Sequence, residues 1–201
     1  MENARYPLME HFLTIQGEGA NTGKAAYFLR LAGCDVGCVW CDVKDSWDKS
    51  VHPTVSLDSM IGHVQDAGAR RVVVTGGEPC MYDLKPLTDA LKAIGLERYL
   101  ETSGAYPITG DWEWICVSPK KFKEPLKESL LKADELKIVA YNRHDFDWAE
   151  SHRAFLRQGC RLFIQPEHSV FDKMTPLVID YVKLHPEWTM SLQTHKFLDI
   201  P

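Results

Sequence analysis

Short apolar runs alternate with amphipathic stretches along most of this 201-residue chain. The runs are rich in β-branched and aromatic residues, as strands are, and the stretches between them carry apolar residues at helical spacing. The predicted strands cover 25–31, 71–74, 98–100, 114–117, 135–139, 161–164 and 189–192, and the predicted helices cover 56–67, 84–94, 148–158 and 173–184. This alternation predicts βα units that build an α/β fold around a parallel sheet or barrel.

Polar segments follow five of the predicted strands directly, at 75–78, 101–103, 118–120, 165–166 and 193–195. Because the carboxyl ends of parallel strands meet at one rim, these segments are expected to share a site. The chain has too few βα units to close a barrel of eight. We therefore expect a partial, TIM-like βα barrel that is open on one side. No Pro/Gly/Ser-rich linker divides the chain, so one domain over 1–201 is predicted.

The composition argues against several classes of partner. A net charge of -5 disfavours a nucleic-acid-binding surface, which needs clustered Lys and Arg. No apolar run is long enough to span a membrane. The chain starts without the apolar core of a signal peptide, which predicts a cytoplasmic, reducing location. A local lysine cluster is either a solvated face or a docking patch for an acidic electron donor: Lys120, Lys121, Lys123, Lys127 and Lys132.

Three cysteines, Cys34, Cys38 and Cys41, lie within one short loop after the first predicted strand. Their spacing lets one loop give three thiolates to an iron–sulfur cubane and leaves the fourth iron without a protein ligand. Such an iron can bind S-adenosylmethionine and pass it one electron. Zinc is the alternative and would need a fourth ligand such as His11 or His52, although no second Cys or His pair at zinc-finger spacing follows.

The cysteine loop resembles that of the radical S-adenosylmethionine enzymes, which have this spacing and an aromatic residue before the last cysteine, here Trp40. Gly76 and Gly77 follow the next predicted strand. Alone, they would indicate only a tight connection. Beside the cysteine loop, they resemble the turn whose backbone approaches the amino group of S-adenosylmethionine in those enzymes, since glycine permits close approach.

The resemblance narrows to the 7-carboxy-7-deazaguanine synthase family and covers essentially the whole chain. The matching motifs are IQGEG at 15–19, FLRLAGC at 28–34, CD at 41–42, TGGEP at 75–79, ETSG at 101–104, SPK at 118–120 and QTHKFLDIP at 193–201. The resemblance implies a homodimeric radical enzyme that converts 6-carboxy-5,6,7,8-tetrahydropterin to 7-carboxy-7-deazaguanine with loss of ammonia, a step toward queuosine. It also implies a flavodoxin-like or ferredoxin-like electron donor.

Carried over to the matching positions, the resemblance implies three groups of site residues. Cys34, Cys38 and Cys41 would hold a 4Fe-4S cluster. The pterin substrate would contact Ile15, Gln16, Gly17, Glu18, Arg30, Thr75 and Pro201. S-adenosylmethionine would contact Gly77, Glu101, Ser103, Ser118, Pro119, Lys120, Gln165, Pro166, Glu167 and His168. No side chain is expected to act as a nucleophile, because the adenosyl radical would start the reaction by taking hydrogen from C6 of the pterin.

One position departs from the family pattern. The family usually has Thr or Ser after Cys-Asp, where a hydroxyl helps to bind magnesium, but this chain has Val43 after Asp42. Mg²⁺ prefers six oxygens and keeps waters readily, so it could sit on substrate oxygens with Asp42 or Ser46 assisting, or be absent or replaced. We expect weaker magnesium dependence than in relatives that have the hydroxyl.

Two other functions fit the cysteine loop. A glycyl-radical activase uses the same spacing but acts on a protein partner, whereas the family-like ends of this chain indicate a small molecule. A non-catalytic zinc module that binds a partner would explain the three cysteines without any reaction.

Overall fold

Nine strands form one sheet in the computed structural model, which describes residues 4–201. The strands are β1 (Arg5–Ile15), β2 (Ala25–Leu31), β3 (Thr54–Ser56), β4 (Arg71–Gly76), β5 (Glu97–Thr102), β6 (Trp114–Val117), β7 (Glu135–Ala140), β8 (Arg161–Pro166) and β9 (Trp188–Met190). The helices are α1 (Leu57–Asp66), α2 (Lys85–Ala93), α3 (Lys127–Lys132), α4 (His144–Arg153), α5 (Phe171–Leu184) and α6 (Thr194–Leu198).

The sheet follows the order β3-β1-β2-β4-β5-β6-β7-β8-β9, with β3 and β9 at its two edges. Strands β2 and β4 to β9 run parallel, as βα connections require. Strand β1 pairs antiparallel with both β2 and β3. Because the sheet does not close on itself within the described residues, the predicted partial barrel is confirmed.

The two faces of the sheet follow the period of two along each strand. In β4, Val72 and Val74 pack into the main core beneath the helices, whereas Val73 joins a small cluster on the opposite, inner face. The same alternation in β7 sends Leu136 and Ile138 into the main core. It therefore leaves Lys137, between them, on the inner face. Polar residues inside apolar strands are in this way directed toward the hollow of the sheet.

The structure confirms the predicted strands and corrects some boundaries. The predicted helix 148–158 is wrong at both ends, because α4 spans His144–Arg153. Asp145 accepts hydrogen bonds at 2.7 Å from the amides of Tyr141 and Asn142. These bonds stabilise the first turn of α4, so the helix begins before the predicted residue 148. The last predicted strand, 189–192, is instead Trp188–Met190. The sequence patterns missed β1, β3, α3 and α6.

In the part of the chain that the structure describes, no helix combines the length and apolar character needed to cross a bilayer.

Candidate active site

An open cavity lies at the carboxyl ends of the parallel strands. All five polar segments predicted from the sequence contribute to its lining, through 75–78, 101–103, Ser118 with Lys120, Gln165, and Gln193 with His195. The cysteine loop reaches the same cavity through Cys34, Cys38 and Cys41, and Pro201 lines it as well. The fold thus brings residues from both ends of the sequence to one site.

The cysteine loop is held by backbone hydrogen bonds to a neighbouring loop. The Gly33 amide donates to the Ser46 carbonyl at 2.6 Å, and the Cys34 amide donates to the Trp47 carbonyl at 3.3 Å. The Val43 amide lies 3.4 Å from Cys41 Sγ. The protein backbone therefore shapes the loop and directs one N–H group at a sulfur, as is common around iron–sulfur clusters.

The three cysteines line one cavity together, so a single metal centre could take all three thiolates. Burial raises the pKa of Cys34, and it raises that of Cys38 to about 11. These thiols therefore stay protonated at neutral pH until a metal replaces the proton.

The turn after β4 packs directly on the cysteine loop. The Gly77 amide donates to the Leu31 carbonyl at 2.8 Å, and the Glu78 amide donates to the Gly33 carbonyl at 2.9 Å. A Cβ on Gly77 would lie 2.3 Å from the Gly33 oxygen and 3.0 Å from Cys34 Cβ. Position 77 consequently requires glycine for a packing reason that the sequence shows only as a Gly-Gly pair.

Glu78 ties this turn to the end of β5. Its side chain accepts hydrogen bonds from the Cys80 amide at 3.0 Å, from Thr102 Oγ1 at 2.6 Å and from the Ser103 amide at 2.8 Å. Ser103 Oγ donates to it as well, at 2.5 Å. Because the carboxylate is 1% exposed and has these donors, it serves to fix the two loops relative to each other.

The residues predicted to contact S-adenosylmethionine divide into two sets. Those that line the cavity are Gly77, Glu101, Ser103, Ser118, Lys120, Gln165 and Glu167. Pro119, Pro166 and His168 do not line it; both prolines are buried, and His168 is exposed. Lys120 Nζ donates to Ser118 Oγ at 2.6 Å, and burial lowers the pKa of Lys120.

Two carboxylates and one lysine form a buried ion-pair cluster on the inner face. Lys137 contacts Glu18, and its Nζ lies 3.0 Å from Glu101 Oε2. Burial opposes the charge of both partners. The ammonium of Lys137 nevertheless outweighs burial at Glu18 and lowers the pKa of that carboxyl to about 2. Likewise, Glu101 and Glu18 raise the pKa of Lys137 well above its usual value.

Three glutamine side chains extend this cluster. Gln16 Nε2 donates to Glu101 Oε1 at 2.6 Å. Gln165 and Gln193 donate through Nε2 to Glu18 Oε1 at 3.2 Å and 2.8 Å. Glu101, which the resemblance assigns to S-adenosylmethionine, is thus in contact with Gln16, which it assigns to the substrate.

Lys137 is the main site residue that the sequence analysis missed. The signal was present: a lysine stands at the centre of the apolar run Glu-Leu-Lys-Ile-Val of β7. A strand whose sequence predicts burial on both faces cannot accommodate an unpaired lysine. Such a residue therefore indicates an inward position with an acidic partner.

Arg30 and Pro201 lie at the substrate end of the cavity. Arg30 Nε is buried and makes no hydrogen bond; Glu10 Oε1 lies 3.4 Å away. Thr14 Oγ1 donates to the Pro201 oxygen at 3.2 Å, and the Thr194 amide donates to the Gly17 carbonyl at 2.9 Å. Arg30 thus has free hydrogen-bonding capacity, and the last residues of the sequence are anchored beside it.

The oxygen atoms near Val43 do not form a ready magnesium site. Ser46 Oγ donates to the Val43 carbonyl at 2.6 Å. Asp42 Oδ2 lies 3.1 Å from Lys196 Nζ and 3.3 Å from Gln193 Nε2. Burial would raise the pKa of Asp42, but Lys196 outweighs it and lowers that pKa. The nearest carboxylate is therefore already neutralised by a lysine.

The lysine cluster is largely engaged within the chain. Lys121 pairs with Asp145 at 2.5 Å, and Lys123 pairs with Asp35 at 2.7 Å. Lys132 donates to the Ile108 carbonyl at 2.9 Å. These contacts favour a structural surface over an open docking patch.

No protein-family model matches the chain. Curated relatives match nearly its full length. A 7-carboxy-7-deazaguanine synthase from Flavobacterium psychrophilum is 52% identical over 195 residues, which are 97% of this chain and 92% of the relative. A protein with the same name from Synechocystis is 44% identical, and the match covers 97% of this chain and 93% of the relative. The one from Escherichia coli is 36% identical, and the match covers 98% of this chain and 99% of the relative.

The crystal structure of QueE from Escherichia coli has a closely similar fold. The TM-score is 0.84 at 34% sequence identity, and the match covers 94% of this chain and 93% of the other.

Proposed function

This chain belongs to the 7-carboxy-7-deazaguanine synthase family, and we propose that it converts 6-carboxy-5,6,7,8-tetrahydropterin to 7-carboxy-7-deazaguanine with release of ammonia. The family implies a radical S-adenosylmethionine enzyme of queuosine biosynthesis, with an iron–sulfur cluster. One observation carries the proposal: the three cysteines, the Gly77 turn and the Arg30–Pro201 end line a single cavity.

Cys34, Cys38 and Cys41 would hold the cluster, and the lining residues Gly77, Ser118 and Lys120 would contact S-adenosylmethionine. Together these two cofactors would supply the radical chemistry that starts the reaction at C6 of the substrate. The protein itself positions the reactants and excludes water and stray hydrogen donors.

The substrate would lie between Arg30 and the buried ion-pair cluster. Its carboxylate is matched by the guanidinium of Arg30, which lines the cavity, can donate two parallel hydrogen bonds and has Glu10 as its ion-pair neighbour. The guanidine-like edge of a pterin carries N–H donors. Glu18 and Glu101 provide acceptors for them, because both carboxylates line the cavity.

Magnesium is proposed only as a weak requirement. Val43 has no side-chain oxygen, and one oxygen of Asp42 is paired with Lys196, so a magnesium ion here would take most of its six oxygens from substrate and water. Turnover by the anaerobic enzyme should fall by less than about tenfold in EDTA. Complete loss of turnover, restored by added Mg²⁺, would contradict this.

We further propose a homodimer of single-domain chains in the cytoplasm, reduced by a flavodoxin-like or ferredoxin-like protein. For the dimer, β1 offers an edge: its pairing with β3 stops at Pro7, and Leu13 and Ile15 beyond it are 51% and 39% exposed. The mass of the protein in solution tests this part.

The decisive assay supplies S-adenosylmethionine, a strong reductant and carboxytetrahydropterin under anaerobic conditions. We expect 7-carboxy-7-deazaguanine and ammonia in equal amounts. A glycyl-radical activase would leave the pterin unchanged and modify a protein instead. A zinc module would give a colourless protein without iron and with no product.

A further inference from the structure

The two carboxylates proposed to accept hydrogen bonds from the substrate need a nearby cation to stay charged in this poorly solvated site. Glu18 and Glu101 are largely shielded from solvent, with 15% and 22% of their side chains exposed. Both contact the same cation, Lys137, whose side chain is 3% exposed. Two carboxylates this close in a low-dielectric site repel each other strongly, so one would take up a proton if the lysine were absent.

The hydrogen-bond geometry leaves each carboxylate partly free. Lys137 contacts one oxygen of Glu18 and one of Glu101. Their other oxygens receive one amide from Gln16 at Glu101 and two amides, from Gln165 and Gln193, at Glu18. A carboxylate oxygen accepts more than one hydrogen bond, so acceptor capacity remains toward the cavity that both residues line.

We propose that Lys137 is a positioning residue for substrate recognition: by pairing with Glu18 and Glu101 at once, it holds both as charged acceptors aimed at the N–H edge of the pterin. The inference rests on the proposed function for the identity of the ligand. It adds a residue outside the motifs that carry the resemblance. Lys137 acts through the two glutamates and needs no contact with the reacting carbon.

This role of Lys137 predicts that the site selects ligands by the positions of their hydrogen-bond donors. A pterin ring presents an exocyclic amino group and a ring N–H side by side, which two ionised carboxylates can accept. A ligand with a carbonyl oxygen at the amino position would face a carboxylate and be rejected. Lumazine-type rings, which carry that oxygen, should therefore bind poorly.

Other ionisable groups also surround Lys137 and enter the pH behaviour of any variant. They are Glu18, Glu101, Glu135, Cys116 and Lys120. Burial raises the pKa of both Glu135 and Cys116. Lys137 lowers the pKa of both groups against this effect of burial, so Lys137→Met raises their pKa further, and Lys137→Arg, which keeps the charge, is the comparison that holds this contribution constant.

The test measures binding separately from turnover. The probe is pterin-6-carboxylate, the fluorescent oxidised form of the proposed substrate, titrated into anaerobic cluster-loaded protein between pH 5.5 and pH 7, where the ring N–H of the probe stays protonated. In Lys137→Met we expect affinity to fall by about 10-fold to 100-fold at pH 5.5 and to recover partly as the pH rises, because Glu18 has lost the ammonium that lowers its pKa and regains its charge only at higher pH. Wild-type affinity should vary less than that of the variant over the same range.

Three controls make the result interpretable. Lys137→Arg keeps the charge and should retain most of the affinity, while Lys173→Met removes an exposed lysine of α5 and should match the wild type. S-adenosylmethionine binding should be unchanged in Lys137→Met. If that variant fails to fold, Lys137→Met with Glu101→Gln removes one charge of each sign; it should fold and bind the probe weakly, with a pH dependence that comes from Glu18 alone.

Two outcomes would overturn the inference. In one, Lys137→Met binds the pterin within about twofold of the wild type. In the other, it loses pterin and S-adenosylmethionine affinity together and equally at every pH, which would indicate a purely structural role. Failure of the proposed function is distinguishable, because wild-type protein would then not bind the probe at all.

Discussion

Gly77 lies where the strand ends and the cysteine loop meet, and its lack of a side chain decides how closely they pack. The carbonyl of Gly33 would be 2.3 Å from any Cβ placed there. Since Gly33 directly precedes the first cysteine, a displaced turn moves Cys34 as well. The close packing of Gly77 on Gly33 therefore affects how the cysteine loop binds its cluster.

We expect Gly77→Ala to lose most of its iron, because the added methyl group pushes the turn off the cysteine loop. Iron and sulfide per chain, with the visible absorbance of the anaerobic protein, measure this. Gly62→Ala is the matched control: position 62 is inside α1, nothing lies within 4 Å of its Cβ, and alanine favours helix by about 1 kcal/mol. Equal iron contents in the two variants would contradict the proposed packing.

Arg30 tests the other end of the cavity. Arg30→Met should keep the cluster and the cleavage of S-adenosylmethionine but raise KM for the pterin by about 10-fold to 100-fold, since a charge-assisted bidentate contact is lost. Arg71 provides a control, because it pairs with Glu97 at 3.0 Å and does not line the cavity. An unchanged KM in Arg30→Met would exclude Arg30 as the carboxylate partner.

At the scale of elements, the end of β4 and the end of β5 behave as one unit joined by Glu78. Four donors from 80, 102 and 103 converge on its buried carboxylate. Replacing it with an amide leaves donors facing an NH₂ group, which cannot accept from them. The two loops would then separate even though every other strand contact is intact.

Glu78→Gln should destabilise the protein by about 2–3 kcal/mol, measured as the free energy of unfolding in urea. It should also weaken S-adenosylmethionine binding, because Gly77 and Ser103 are positioned by the same carboxylate. Glu128→Gln, at an exposed position in α3, should change stability by less than about 0.5 kcal/mol. Similar losses of stability in both variants would contradict the proposed role of Glu78 in holding the ends of β4 and β5 together.

The strand register also explains which site residues could be predicted. Residues at the carboxyl end of a strand or just after it, such as Thr75 in β4 and Ser118 after β6, are visible as polar breaks after an apolar run. Lys137 lies in the middle of β7, where only the alternation of faces separates a site residue from the core. The sequence predicts the rim well and the inner face poorly for this reason.

At the scale of the whole molecule, the parallel βα order was predictable from local patterns, and the open barrel followed from the number of units. Strand β1 was not predictable from local patterns, because its pairing with β2 and β3 is set by long-range contacts. Its alternating sequence also includes Pro7, which disfavours a strand assignment. The placement of Gln16 and Glu18 in the cavity depends on this strand.

Acid stability is a whole-molecule consequence of the buried ion-pair cluster. Because Lys137 holds the folded-state pKa of Glu18 at about 2, below the unfolded value near 4.5, the carboxylate stabilises the fold above pH 4.5. That contribution is lost as the pH falls from 4.5 toward 2. In cluster-free protein, we expect Glu18→Gln to reduce this acid-dependent loss by on the order of 2 kcal/mol, measured by urea unfolding at pH 5 and pH 3. An identical pH dependence in variant and wild type would contradict the assigned pairing.

The central claim is that three cysteines and a pterin pocket form one reaction centre, and a single anaerobic experiment tests it most directly. Protein analysed for iron, sulfide and zinc is supplied with S-adenosylmethionine, reductant and 6-carboxy-5,6,7,8-tetrahydropterin. The account predicts about four irons and four sulfides per chain, no stoichiometric zinc, and 7-carboxy-7-deazaguanine as product. Cys38→Ala should lack both the cluster and the product. A zinc-loaded, colourless protein, or a cluster-loaded one that leaves the pterin unchanged, would contradict it.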